Sequence, residues 1–313
     1  MPNQTTLILG AGASYSYGFP TGLELRKKIL ALEGQLELFE LFASYGVRHI
    51  REFLQQFKLS QLVSIDSFLA KNPNYTHLGK TAIAMVLLSC ERADVLFSDE
   101  NKDHWYQYLI NEISSHDWDA LNLSWLKIIT FNYDRSLYFY LHNTLKSIYK
   151  KSDQEVQEKL KELEFQHVYG SLTSTINSYG NVRIVPPSDM DQQDLVLADF
   201  ANAIGDIRVI PEGRNDETHL KRIREVLLSS HTIGILGFGF DSTNIERIYE
   251  QNAFGSQESP KRVVATTKGM TEAEVRRAQM SLFRVARQKL DTTILFADKN
   301  CSELLRETLI LSS

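Results

Sequence analysis

The amino-acid sequence predicts an α/β fold: a Rossmann-like parallel sheet with helices on both faces, plus a helical insertion subdomain. Three observations carry this. The chain opens on a short apolar run, 5–9, that ends in Gly10-Ala11-Gly12. From 216 onward, short apolar runs alternate with amphipathic segments of helical length, the pattern of strand–helix–strand units in a parallel sheet. Between 34 and 125 helical patterns follow one another with no convincing strand. The α/β domain is therefore expected over 1–33 and 126–313, interrupted by a helical subdomain over 34–125.

The elements follow in order. The run 5–9 is uniformly apolar enough for a strand buried on both faces. Over 21–33, Leu25, Ile29 and Leu32 recur at helical spacing and form one apolar face. Residues 78–97 carry Ala82, Met85, Val86, Leu87 and Leu88, apolar nearly all round, so this helix should be central in the insertion. A strand is expected at 126–131, a helix at 136–149, and a charged helix anchored by Val156, Leu160 and Leu163 at 152–164. The stretch 171–215 clusters Gly, Pro, Asn, Asp and Ser around short apolar runs at 182–185 and 206–210, and reads as a substrate-covering loop. Helices at 216–230, 243–253, 271–289 and 302–311 then alternate with strands at 232–237, 262–266 and 292–296.

Composition narrows the function classes. The 313 residues are 43% hydrophobic and 23% charged, which excludes a disordered chain. The net charge of −5 gives no global reason to bind nucleic acid or an acidic membrane. Cys90 and Cys301 are the two cysteines, so neither a four-cysteine zinc site nor a disulfide framework can form. Sparse cysteine fits a reducing compartment, the cytoplasm. The N-terminal residues read as a strand rather than a leader, and the longest uncharged apolar stretch is about half the ~20 residues a membrane span needs. Two segments gather basic residues: Lys221, Arg222 and Arg224, and then Arg276, Arg277, Arg284, Arg287 and Lys289. These read as solvated helix faces or an assembly surface before they read as a nucleic-acid contact.

Four segments could carry chemistry. Gly10-Ala11-Gly12-Ala13-Ser14 follows the first strand directly, where glycines let backbone approach a pyrophosphate and free N–H groups can point at it. A tight strand-to-helix turn would need the same residues, and Tyr15 stands where a dinucleotide fingerprint has its third glycine. Asn132 and Asp134 lie at the end of the second strand, where ligands bind in open α/β sheets. Their alternative is a helix N-cap for 136–149. His167 and Tyr169, in His-Val-Tyr-Gly, would face one side of an extended chain. Histidine can accept a proton near neutral pH, whereas tyrosine, with a pKa near 10, is a poor base. Gly237-Phe238-Gly239-Phe240-Asp241 ends a later strand and leads to Asn244. Those glycines either admit a ligand or merely turn the chain.

Taken in order, these segments resemble the sirtuin superfamily, and in particular its bacterial sirtuin-like branch. GAGAS followed by Gly18-Phe19-Pro20-Thr21 is similar to the sirtuin loop that holds the NAD pyrophosphate. Thr130-Phe131-Asn132-Tyr133-Asp134 is similar to the motif whose Asn contacts the ribose and the attacking water. Sirtuins place their catalytic His immediately before the Gly matched by Gly170; Tyr169 stands there in this chain and His167 lies two residues earlier. GFGFD with Asn244 resembles the turn that holds the adenine-side ribose. Weaker echoes are Ser64-Ile65-Asp66-Ser67-Phe68-Leu69, where Asp66 reads as a helix cap, and Ala297-Asp298 with Cys301 to Leu305.

The resemblance implies that NAD is the substrate, bound by Gly10, Ala11, Gly12, Ala13, Ser14, Pro20, Thr21, Gly237, Phe238, Gly239, Phe240 and Asn244. It implies catalytic roles for Asn132, Asp134 and either His167 or Tyr169, without a metal. Sirtuin deacylases carry a four-Cys zinc module that two cysteines cannot build, so the expected activity is NAD hydrolysis rather than protein deacylation. The branch often serves anti-phage defence, as a homo-oligomer or with a partner ATPase or translocase. The alternative is a protein that holds NAD or ADP-ribose without turnover, as a sensor or scaffold, and Tyr169 in the base position favours it.

Overall fold

The computed structural model describes residues 4–172, 197–198, 200–202, 204–209, 217–248, 262–285 and 293–307. Among these residues six strands form one parallel sheet: β1 (Thr5–Leu9), β2 (Leu126–Thr130), β3 (Phe165–His167), β4 (Thr232–Leu236), β5 (Arg262–Thr266) and β6 (Thr293–Ala297). Their spatial order is β3-β2-β1-β4-β5-β6. This is the Rossmann order, in which the chain winds outward in one direction from β1 and then in the other from β4.

Burial follows from that order. Every residue of β1 is buried, and since successive side chains point to opposite faces, both faces of the sheet are covered. β3 and β6, the two edges, have no fully buried residue. The register aligns the strand ends that matter: Leu9 lies beside Thr130 on one side and Leu236 on the other. The chain therefore leaves β1, β2 and β4 at one level, and the loops that follow them share one crevice.

The insertion is helical, as the periodicity predicts. Helices Leu36–Ala43, Val47–Ser60, Ile65–Lys71 and Thr76–Ser89 pack around Phe39, Phe53, Phe57 and Phe68, all buried. The helix expected over 78–97 stops at Ser89 and a short one resumes at Ala93–Leu96. In the intervening turn Glu91 meets Arg135, just beyond β2, in a buried pair at 2.7 and 2.8 Å. The last insertion helix, Trp105–Ile113, packs on the α/β layer instead. Tyr106 stacks on Tyr17 at 3.6 Å, and its hydroxyl meets that of Ser136 at 2.7 Å.

The helices after β2 run Ser136–Tyr149 and Asp153–Leu160, and those of the second half Glu217–Ser229, Ser242–Ile248, Glu272–Val285 and Cys301–Glu307. The proposed covering loop lies mostly outside the described residues, including the run 182–185. Of its described residues, Ile207 and Arg208 dock on the β3 exit: the Arg208 N–H donates to the Tyr169 carbonyl at 2.7 Å. Among the described residues no helix is long and apolar enough to cross a membrane.

Candidate functional site

The β1 and β4 loops interlock at the point where the strand order reverses. The Gly12 N–H donates to the Gly237 carbonyl at 2.9 Å, and the Gly10 N–H donates to the Leu236 carbonyl at 2.9 Å. A Cβ on Gly12 would lie 2.9 Å from Gly237 Cα, and one on Gly237 would lie 2.1 Å from the Ala13 nitrogen. Gly237 also has φ of +57°, a conformation that side chains disfavour. The glycines thus first admit one loop to the other. The Gly12 and Ala13 N–H groups are used inside the protein, by the Gly237 and Gly10 carbonyls. The segment Ala11–Tyr17 turns as a 3-10 helix, with Ala13 and Ser14 buried against the core.

Asn132 sits directly against this loop. Its side-chain amide donates to the Gly10 carbonyl at 3.0 Å and to Ser14 Oγ at 3.1 Å. Both amide hydrogens are spent on the protein, so the chemistry left to Asn132 is that of an acceptor, through Oδ1. Asp134 combines the two readings of its position. It accepts from the Ser136 N–H at 3.1 Å and from the Ser136 hydroxyl, at the start of helix Ser136–Tyr149, and it also lines the cavity beside β2. Burial raises its pKa, while the hydroxyls of Ser136 and Ser14 oppose that rise.

His167 and Tyr169 part company. β3 ends at His167, so strand alternation does not extend to Tyr169. His167 Nδ1 lies 3.0 Å from the Asn132 carbonyl, which can only accept, so this nitrogen carries the proton. Burial depresses the imidazole pKa to about 4, with His219 adding to the effect. His167 therefore braces the Asn132 backbone and lines neither cavity described below. Tyr169 does line the cavity. Its hydroxyl donates to Asn244 Oδ1 at 2.5 Å, and Arg247 lies 5.0 Å over its ring. Burial pushes the Tyr169 phenol further from use as a base.

Two cavities flank the interlocked loops. One, of about 600 Å³, lies over the ends of β1, β2 and β3 and is lined by Pro20, Asn132, Asp134, Tyr169, Phe238 and Asn244 among others. The second, of about 620 Å³, lies over β4, β5 and β6, with Gly12, Gly237, Thr266, Lys268, Asn300 and Cys301 in its wall. Ala11, Thr21, Gly22, Phe238 and Gly239 line both, so the two form one bipartite cleft. Each lobe falls in the size range of small-molecule sites. Thr21 also starts helix Gly22–Ala31, its N–H donating to Glu24 at 2.9 Å. Phe240, with φ of +52°, packs on Phe238 and Phe296 instead of lining either lobe.

The structure adds wall residues from outside the four main motifs. Asp66 enters the first lobe from helix Ile65–Lys71, where it accepts from the Tyr133 hydroxyl at 2.5 Å. It does not cap that helix; Ser64 does, accepting from the Ser67 N–H at 3.3 Å. The signal was present in the sequence, since a serine two residues upstream already meets the cap requirement. Lys102, Lys268 and Lys299 line the second lobe. Asp103 caps helix Cys301–Glu307, accepting from the Cys301 and Ser302 N–H groups at 3.0 and 2.8 Å. Trp105 Nε1 donates to the Ala13 carbonyl at 2.7 Å and so pins the β1 loop.

Of the basic clusters, Arg222 pairs with Glu164 and Arg224 with Glu217, each at 2.6 Å, and Arg276 lies 3.6 Å from Glu272. The side chains of Arg284, Arg287 and Lys289 lie outside the described residues. Among the described residues no group of three or more His, Cys, Asp or Glu side chains could hold a metal ion. No protein-family model matches this chain, and no curated protein matches it.

Proposed function

We propose that the chain is an NAD glycohydrolase, cleaving the nicotinamide–ribose bond to give ADP-ribose and nicotinamide. The observation that supports it most is the bipartite cleft across the reversal of strand order, with Asn132 in the wall of the first lobe and held against the β1 loop. A dinucleotide is the ligand chemistry suited to two lobes joined at that point. In this reading the GAGAS loop and the GFGFD turn flank the pyrophosphate, and Asn132 Oδ1 accepts from a ribose hydroxyl or from water. Asp134 holds the β2 exit in place. Breaking the bond develops positive charge at the ribose carbon, as in glycoside cleavage, so positioning and acidic groups supply the catalysis. NAD depletion of this kind suits anti-phage defence in the cytoplasm, by an oligomer or with a partner ATPase, on the sirtuin resemblance alone.

One observation favours binding without turnover: Tyr169 is engaged with Asn244, and His167 faces the Asn132 carbonyl with a depressed pKa. Neither is a ready base. Nicotinamide release separates the two readings. A hydrolase releases it and loses the release in Asn132→Ala; a sensor binds NAD and releases none.

A further inference from the structure

We propose that Asp66, contributed by the helical insertion, is a catalytic carboxylate of this site that faces the cationic nicotinamide end of the dinucleotide and takes the proton of the attacking water. The inference rests on the NAD reading and supplies the base that His167 and Tyr169 do not.

The charge of the cleft is divided between its lobes. Among the described residues, the wall of the first lobe carries Asp66, Asp134 and Asp241 and no Lys, Arg or His. Among the described residues, the wall of the second carries Lys102, Lys268 and Lys299, the last paired with Glu307 at 2.5 Å, and its acid, Asp103, is spent on a helix cap. A pyrophosphate sits best towards the lysines and a pyridinium ring best among the carboxylates, so the cleft has a direction.

Within the acidic lobe the three carboxylates are not equivalent. Asp134 is engaged at the start of helix Ser136–Tyr149, and Asp241 accepts from the Asn244 N–H at the start of Ser242–Ile248. Asp66 is relieved of that duty by Ser64. The Tyr133 hydroxyl holds one of its oxygens, which orients the carboxyl group and leaves the other for water. Burial raises its pKa to about 6; Tyr133, its own backbone N–H and Arg247 oppose the rise, and Asp241 adds to it. At neutral pH the group is ionised yet basic enough to accept a proton.

The step balances without a further reactant. Water oxygen bonds to the ribose anomeric carbon, and the carbon–nitrogen bond breaks with its electron pair staying on nicotinamide. One water proton passes to Asp66 and then to solvent.

The test uses the full chain, its Asp66→Asn and Tyr133→Phe variants, and oxidised and reduced NAD as probes. Calorimetry is expected to show that wild type prefers the oxidised, cationic form and that Asp66→Asn loses most of that preference. Nicotinamide release is expected to fall 10²–10⁴-fold in kcat for Asp66→Asn, the range of a general base. The wild-type rate is expected to rise through about pH 6. That acid limb should vanish in Asp66→Asn and move to higher pH in Tyr133→Phe, which removes the hydrogen bond that favours the carboxylate. Should wild type cleave NAD while Asp66→Asn keeps its kcat and acid limb, the role of Asp66 is overturned and the NAD reading stands. Should Asp66→Asn change KM alone, the carboxylate binds without acting as base, and the proposal fails likewise. Wild type that binds neither form of NAD overturns both.

Discussion

Replacing Gly237 by alanine tests the interlock on which the cleft is built. The new Cβ would stand 2.1 Å from the Ala13 nitrogen and 2.3 Å from the Gly12 carbonyl carbon. Both are backbone atoms, so no rotamer relieves the clash and the β1 loop must move. The φ of +57° adds about 1–2 kcal/mol for any residue with a side chain. Moving the loop sacrifices the Gly12 N–H bond to the Gly237 carbonyl at 2.9 Å and the Gly237 N–H bond to Thr266 Oγ1 at 2.8 Å. Each is worth about 1 kcal/mol. The expected loss is about 3–4 kcal/mol. With a melting entropy of roughly 0.7 kcal/mol/K for a chain of this length, Tm should fall by about 4–6 °C. Gly239→Ala is the control, because a Cβ there meets nothing within 4 Å. It should melt within about 1 °C of wild type, given surface-like tolerance. Differential scanning calorimetry of both variants decides: if Gly237→Ala melts with wild type, or if the two variants fall together, the interlock does not hold the cleft.

Three further outcomes are expected. Glu91→Gln should cost about 3–5 kcal/mol, measured by denaturant unfolding, because it removes the carboxylate charge that faces the buried Arg135 guanidinium. The pH dependence of stability should divide between two groups of opposite sign. His167, lowered from 6.5 to about 4, binds its proton more readily unfolded, so its contribution is present above pH 6.5 and is lost as pH falls towards 4. Asp66, raised from 3.8 to about 6, contributes stability fully below pH 3.8 that is lost as pH rises through about 6. Each is worth at most about 3 kcal/mol, reduced by the solvent that reaches these half-buried groups. Melting curves between pH 4 and 6 should therefore tilt oppositely: stability rises with pH in Asp66→Asn and falls with pH in His167→Gln. Parallel slopes in the two variants would refute both assignments. The Tyr133→Phe acid limb described above tests the same carboxyl by kinetics.

Much of this fold was legible because local and tertiary demands coincide in it. The strands β1, β2, β4 and β5 are mostly buried on both faces, which matches the largely apolar runs seen at 5–9, 126–130, 232–236 and 262–266, broken by a charge only at Lys127 and Arg262. β3 was harder: three residues at a sheet edge carry too little periodicity to read, and the expectation for His167 and Tyr169 inherited that uncertainty. The break after Ser89 was hidden because Ala82 to Leu88 continue as a helix on every local measure. Just past that end, Glu91 pairs with a residue 44 positions away, Arg135. The glycine motifs were legible as close approaches, but not what approaches them, since Gly237 faces Gly12 from the other half of the sheet. Asp66 could be placed on a helix from its spacing. Its position in the cleft wall depends on how the insertion folds back over Tyr133, which no local pattern encodes.

Nicotinamide release from NAD, by wild type and by Asn132→Ala, tests the central claim most directly. The Asn132 amide bonds to Gly10 and Ser14 join the β1 and β2 exits beside the first lobe, so folding of the variant is checked alongside by its circular dichroism. The account expects wild type to release nicotinamide and the folded Asn132→Ala variant to lose at least 100-fold in rate, the scale of a lost positioning group. Undiminished release in the folded variant, or NAD that never binds to wild type, would contradict it.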